Sequence, residues 1–248
     1  SISSGTGSVP GAVAAVRIEG SRFAWDLIGD GDESECGVDA SRDATDARGE
    51  KAKCRDTAAP VEKAVCGVMG GRAERGERTA APSPIGLCGS GLIDFVACAL
   101  ELGLIARDGS LSPVCAENGV FLDPAGKVRL LAADVRALQL AKAAVRAGIG
   151  ILLEDSGLRA EDISRVYLAG GFGLYLRESS AIAIGLIPAA FKGKTVPVGN
   201  AALAGASLLA RDPEGTIARF DAILSLSRTI ALAEDSRFER LFLDSMDF

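Results

Sequence analysis

The stretch Arg165-Val-Tyr-Leu-Ala-Gly-Gly-Phe-Gly173 constrains this fold more than any other. A run that reads as a buried strand passes directly into two glycines and then a third. Strand ends bare of side chains let the backbone come close to a flat or phosphorylated ligand. A helix N-terminus beside such a turn adds a field that favours anions. A second small-residue turn, Val198-Gly-Asn-Ala-Ala-Leu-Ala-Gly-Ala206, follows in the same half of the chain. Helix, strand, Gly-Gly turn, helix, strand and small-residue helix in this order make an α/β fold. Two such turns suggest a nucleotide floor, although a tight strand-to-helix turn with no ligand accounts for either one alone. The first is not a Walker loop, because no Gly-Lys-Ser/Thr follows, and it lacks the G-x-G-x-x-G spacing of a dinucleotide site.

Around this centre the chain divides into three. Residues 1–28 open at Ser1 in what reads as mid-domain sequence, a fragment of something longer, with a Gly/Ser loop to Gly11. Two short strands, Ala12–Ile18 and Arg22–Ile28, flank a Glu19-Gly20-Ser21 turn. Residues 29–84 are rich in Asp, Glu, Arg, Lys, Gly and Ala, with one apolar patch at Val61–Met69. Such a segment buries too little to offset its ordering entropy, so it reads as a solvated, flexible insertion. Residues 85–248 regain order. A helix follows Gly86, Gly89 and Gly91, with Ser90 as N-cap and Asp94 in the first turn, ending at Gly103. Short strands are expected near Val120–Leu122 and Val128–Leu131, either side of a Pro124-Ala-Gly126 turn.

The longest helix signal is Asp134–Ser156, with Leu138, Ala141, Val145, Ile149, Leu152 and Leu153 at helical spacing and Gly157 as its stop. Ser179–Ile184 is expected as helix, Thr195–Val198 as strand, and Ala201–Ala210 as a small-residue helix packed closely on a neighbour. Ala218–Ser227 reads as helix, Thr229–Leu232 as an edge strand, and the end of the chain as a terminal helix.

Composition removes whole classes of chemistry. The chain has no histidine, so Ser-His-Asp and Cys-His nucleophilic pairs are excluded. Its net charge of −6 argues against a duplex nucleic-acid partner, which requires a basic face. No apolar run is long enough for a membrane span, so a soluble, cytoplasmic protein is expected. The six cysteines follow no zinc or iron–sulfur spacing and read as reduced thiols. Cys88 at a helix start invites a thiolate reading, but close packing of a small residue is the preferred one. Gln139, Lys142 and Arg146 share one side of the long helix. A cleft-facing Lys142 is admissible, whereas Arg146 reads as a solvated charge. Asn200 reads first as a helix N-cap. No pair of carboxylates stands out as an acid/base couple, and no catalytic residue or metal ligand is assigned.

Taken together, Ile85-Gly-Leu-Cys-Gly-Ser-Gly-Leu-Ile-Asp94, Asp134-Val-Arg through Gln139-Leu-Ala-Lys-Ala-Ala144, Val166-Tyr-Leu-Ala-Gly-Gly-Phe-Gly173, Ala183-Ile-Gly-Leu-Ile-Pro188 and the Val198–Ala206 turn are more specific than any one of them. They resemble the C-terminal ATPase domain of the iron–sulfur reductive activators of corrinoid proteins, in the sugar-kinase/actin/chaperone superfamily. The likeness covers about Ile85–Phe248, with Ile2–Val16 a weaker continuation and no counterpart for Gly29–Pro84. It implies the C-terminal half of an actin-like, ribonuclease-H-like ATPase domain. It also implies ATP with Mg²⁺, a corrinoid protein as partner, and a [2Fe–2S] module elsewhere in the parent protein that returns Co(II) to Co(I); a homodimer is compatible with it.

On that resemblance Gly170, Gly171, Phe172 and Gly173 would form the adenosine-side turn, with Gly199 and Asn200 nearby. Cys88, Gly89 and Ser90 would face the cleft, and Gln139 and Lys142 would reach it from the long helix. The Asp-Ile-Gly-Thr phosphate loops and the ferredoxin cysteines of the family do not occur here, so little ATPase activity is expected of this chain alone. Two other readings stand beside this one: a non-catalytic actin-like scaffold, and an activator of another ATP-coupled electron-transfer enzyme.

Overall fold

The computed structural model describes residues 9–19, 22–28, 84–123 and 125–248. The insertion read at 29–84 lies outside them except for Pro84, as do Gly20, Ser21, Pro124, the patch at 61–69 and most of the opening loop.

Strands β1 (Ala12–Glu19) and β2 (Arg22–Leu27) form the expected antiparallel pair, with Val16 opposite Trp25 and Ile18 opposite Phe23. Strand β3 (Gly86–Leu87) joins β1 in parallel, completing a three-stranded sheet of order β2-β1-β3. Helix α1 (Gly89–Glu101) then lies against β1. Phe95, Val96 and Ala99 carry its buried stripe into a core with Val13, Val16 and Phe23, and the Phe23 and Phe95 rings meet edge to face at 4.9 Å. Gly91 makes this contact feasible: a Cβ there would sit 2.2 Å from the Val13 carbonyl oxygen. The helix is capped by Cys88 rather than Ser90. The Ser90 hydroxyl instead donates to the Ala14 carbonyl at 2.9 Å, and Asp94 lies beyond the first turn, fully buried.

A small hairpin, β4 (Val120–Phe121) with β5 (Arg129–Leu130), leads into α2 (Ala132–Ser156), which Gly157 ends with φ +63°. The helix has the expected extent but buries a different face. Val145 and Leu152 are exposed, while Val135, Leu138, Gln139, Lys142, Ala143, Ala147 and Ile151 face inward. The cause is the tail. Helix α7 (Phe238–Asp244) packs along α2, where Gly150 admits Leu241 and Gly148 admits Leu232. The edge strand expected at Thr229–Leu232 does not form; a 3₁₀ turn at Leu232–Glu234 takes its place. Arg237 fastens the tail through Asp235, Asp155 and Glu154.

Strand β6 (Val166–Ala169), helix α3 (Gly170–Tyr175), helix α4 (Glu178–Ala183) and strand β7 (Thr195–Gly199) follow, with β6 and β7 parallel in a two-stranded sheet of their own. The expectation that β6 is buried does not hold. Its residues alternate between half-buried and exposed, because two strands cannot cover each other's faces. Helices α5 (Ala201–Arg211) and α6 (Pro213–Leu226) form a hairpin. Helix α6 starts five residues earlier than its apolar pattern suggests, because Asp212 caps the Gly215 amide and Pro213 takes the first helical position. The close packing expected of α5 is absent: none of its residues is buried, and Gly205 has nothing within 4 Å of its Cβ position. Among the described cysteines Cys88 and Cys98 are free, whereas Cys115 is disulfide-bonded, which corrects the expectation of reduced thiols throughout.

Candidate functional site

Two parallel strands bring the two glycine turns side by side. Ala169 at the end of β6 lies opposite Gly199 at the end of β7, so both turns open at the carboxyl edge of one sheet. In open α/β sheets this edge is where ligands bind. Gly170 and Gly199 have φ of +87° and +63°, a region that residues with a Cβ rarely enter. Around Gly170, Gly171 and Gly199 no described residue lies within 4 Å of a Cβ position, so among the described residues these glycines face open space. Gly173 differs, since a Cβ there would press within 3.0 Å of the Leu168 backbone. It is needed for α3 to fold back on its own strand.

The third segment is the start of α1. A Cβ on Gly89 would come 2.9 Å from the Phe172 ring, so this glycine and this aromatic touch across the junction of α1 and α3. Phe172 keeps 48% of its surface exposed. Thus Gly89, Gly170–Gly173 and Gly199-Asn200 do come together, offering bare backbone and one exposed ring.

Most polar side chains in this region are turned inward. Cys88 Sγ lies 3.1 Å from Ser90 Oγ, and both residues are 2% exposed. Their side chains are committed to the contact with β1, and only their backbone can meet a ligand. Asn200 Oδ1 accepts the Leu203 amide at 3.0 Å, as a helix cap. Asn200→Ala should lower stability by about 1 kcal/mol, read by chemical denaturation, because an orphan amide at the start of α5 loses its partner.

Asp94 and Arg177 were not picked out by pattern alone. Asp94 Oδ2 accepts the Val16 amide at 3.2 Å and lies 3.4 Å from Arg177 Nε, while Arg177 also donates to the Val16 carbonyl at 3.0 Å. The pair seals the edge of β1 that faces away from β2. Burial pushes the Asp94 carboxyl above its usual range, partly offset by Ser180, the Val16 amide and Arg177, and its second oxygen has no hydrogen-bond partner among the described residues. Burial, with the Asp94 and Glu101 charges, raises the Cys98 thiol to about 11. The signal in the sequence was a carboxylate inside the apolar run Leu92–Val96.

Gln139 and Lys142 are taken up elsewhere. Gln139 lies against Gly109, where φ of +84° and the absence of a side chain make room for its amide. The Lys142 ammonium donates to the Asp247 carbonyl, packs beside Gly185 and stands 5.4 Å from the centre of the Phe248 ring. Both are buried away from the glycine turns, Gln139 against the loop at Gly109 and Lys142 against the tail. Among the described residues no group of three Cys, Asp or Glu is close enough to hold a metal ion, and no helix is long and apolar enough to cross a membrane.

Comparison with known proteins agrees with this architecture. The family model for the C-terminal domain of RACo, the ASKHA domain, matches residues 1–248. The corrinoid activation enzyme RamQ of Eubacterium limosum is 32% identical over 220 residues, covering 76% of this chain and 35% of that protein. A Co(II) methylated amine-specific corrinoid protein reductase of Methanosarcina barkeri is 28% identical over 169 residues, 66% of this chain and 29% of its own length. A solved reductive activator for corrinoid, iron–sulfur protein superposes with a TM-score of 0.68 at 26% identity, covering all of this chain and 34% of its own. This chain therefore spans about a third of the relatives it matches.

Proposed function

Because the chain belongs to the family of the C-terminal, ASKHA domain of RACo, we propose that it supplies the adenosine side of a nucleotide cleft. The cleft would lie in an ATP-dependent activator that returns corrinoid methyl-transfer proteins from Co(II) to Co(I). The observation that carries this reading is the pairing of Gly170–Gly173 with Gly199 at the carboxyl ends of two parallel strands, closed on a third side by Gly89 and Phe172. Open glycines give a flat ring access to backbone amides, and the exposed Phe172 ring offers it a stacking face. The relatives named as corrinoid activation enzyme and corrinoid protein reductase support the wider role.

The side chains present suit a nucleoside better than a triphosphate. Cys88, Ser90, Asn200, Asp94 and Arg177 all direct their hydrogen bonds into the protein. Grip on phosphates and Mg²⁺, and the electron from a [2Fe–2S] module, would come from the remainder of a longer polypeptide. ATP would supply the free energy for an uphill electron transfer through domain movement.

Gly171→Val tests the floor. Its Cβ enters open space and its φ is not in the left-handed region, so the fold should tolerate it while the floor is filled. Titration calorimetry with ATP and ADP on the longer polypeptide should show binding that this change weakens at least about tenfold, the loss of roughly 1.4 kcal/mol of contact. Absence of nucleotide binding by the unaltered protein would sink the reading. Magnesium-dependent ATP turnover by the 248 residues alone would contradict the half-cleft.

A further inference from the structure

Three contacts lay α1 along β1 at matching intervals. Ser90 donates to the Ala14 carbonyl, Gly91 lies against the Val13 carbonyl, and Asp94 accepts the Val16 amide. Four helical residues rise about 6 Å and two strand residues about 6.6 Å, so Ser90 and Asp94 stay in step with Ala14 and Val16. At Val16 the corner between α3 and α4 joins them. Arg177 donates to the Val16 carbonyl at 3.0 Å and places Nε 3.4 Å from Asp94 Oδ2, and the Ser180 side chain bonds to the same carboxylate. Side chains from α1 and from this corner thus meet on both backbone groups of one strand residue.

From this point the chain leads straight back to the glycine turn. The amide of Leu176, next to Arg177, donates to the Phe172 carbonyl at 3.2 Å, and Leu176 packs against the core. Helix α3 is therefore a short arm of six residues, rooted in β6 at one end and held by Arg177 at the other. Its Phe172 ring reaches Gly89, five residues before Asp94. This ring-to-backbone contact has no directional bond of its own. The ion pair behind it does: Asp94 is fully buried and the Arg177 side chain is 39% exposed, so solvent screens the pair little. A buried carboxylate is costly without its partner, which holds Arg177 in place.

We propose that Arg177, anchored by Asp94 and Val16, is a positioning residue of the nucleotide floor. It sets the angle of α3, hence the distance between the Phe172 ring and Gly89 on which a nucleoside would lie. The inference rests on the nucleotide reading above, and Arg177 acts through Phe172 without touching the ligand.

A titration and an NMR contact, both on the longer polypeptide, test it together. A nuclear Overhauser cross-peak between the Gly89 α-protons and the Phe172 ring, in protein labelled only at glycine and phenylalanine, reads the contact without nucleotide. In Arg177→Met the cross-peak should vanish and ADP affinity should fall at least about tenfold, as for a binding surface misplaced by about an ångström. Arg177→Lys keeps a cation beside Asp94 and should recover most of both. The double variant Asp94→Asn, Arg177→Met guards against simple failure to fold. It leaves no unpaired charge in the core and keeps an acceptor for the Val16 amide, so its urea midpoint should return towards that of the unaltered protein. Its affinity and cross-peak should stay lost, a split that edge closure alone does not produce. A folded double variant that keeps the cross-peak, or that binds ADP within about twofold of the unaltered protein, overturns the proposal. Absence of ADP binding by the unaltered protein rejects the nucleotide reading instead, and the cross-peak then still decides whether Arg177 sets the contact.

Discussion

Gly91→Ala should lower the stability of the chain by about 2–3 kcal/mol. The added Cβ would lie 2.2 Å from the Val13 carbonyl oxygen and 2.9 Å from its carbon. Val13 cannot yield, since it pairs with Leu27 on one side and Leu87 on the other, and its carbonyl accepts the Cys88 amide at 3.0 Å. Helix α1 must therefore lift off β1, loosening the contact of Phe95, Val96 and Ala99 with Val13, Val16 and Phe23. Overpacking of a core costs about 1–3 kcal/mol, and a backbone obstacle belongs at the upper end. Alanine's helix propensity returns about 1 kcal/mol, which the estimate includes.

Two other glycines calibrate the result. Gly89→Ala meets only the partly exposed Phe172 ring, which can swing away, so its cost should stay below about 1 kcal/mol. Gly205→Ala enters open space on an exposed helix and should stabilise by about 0.5–1 kcal/mol. Urea unfolding followed through the single tryptophan, Trp25 in β2, reads all three. A Gly91→Ala protein as stable as Gly205→Ala would refute the packing assigned to α1 and β1.

The second expected result concerns pH. Burial lowers the Lys142 amine from 10.5 to about 8, against the partial compensation of Asp247. The folded chain prefers the neutral amine, so between about pH 8 and 10.5 unfolding takes up a proton. Stability should climb across that window as pH rises, and the penalty should be present in full below about pH 8. The shift corresponds to a penalty on the order of 3 kcal/mol. Lys142→Met keeps the volume, removes the charge and abolishes this slope. It also gives up the hydrogen bond to Asp247 and the contact with Phe248, each worth about 1 kcal/mol. The net gain at pH 7 should thus be on the order of 1 kcal/mol, and above about pH 10, where the charge penalty is gone but the lost contacts are not, the methionine variant should be the less stable by about 1–2 kcal/mol. The difference between the two proteins, measured by denaturant unfolding from pH 7 to 10.5, isolates Lys142 from other titrating groups. An unchanged slope in the methionine variant would exclude Lys142 as its source.

Local signals were legible in the residues themselves. The strand into Gly170-Gly171, the hairpin of residues 12–27, the Gly157 stop and the Asn200 cap all depend on neighbours within a few positions. The α/β order follows from them. So does the family, because it is carried by short motifs in sequence order. Asp212-Pro213 was equally local, but the apolar pattern of α6 drew attention to a later start.

Tertiary structure decided the rest. Helical period shows that residues 134–156 are helical but not which stripe is covered; the tail covers Lys142 and the loop at Gly109 covers Gln139, which removes both from the glycine turns. Asp94 became a buried partner of Val16 and Arg177 only because α1 lies on β1. The exposure of β6 depends on how many strands flank it, a number that no feature of the strand itself encodes. The glycine turns were plain in the sequence. Their meeting at one sheet edge required the parallel pairing of two strands nearly thirty residues apart, and long-range pairing of that kind is set by the energy of the whole packed chain.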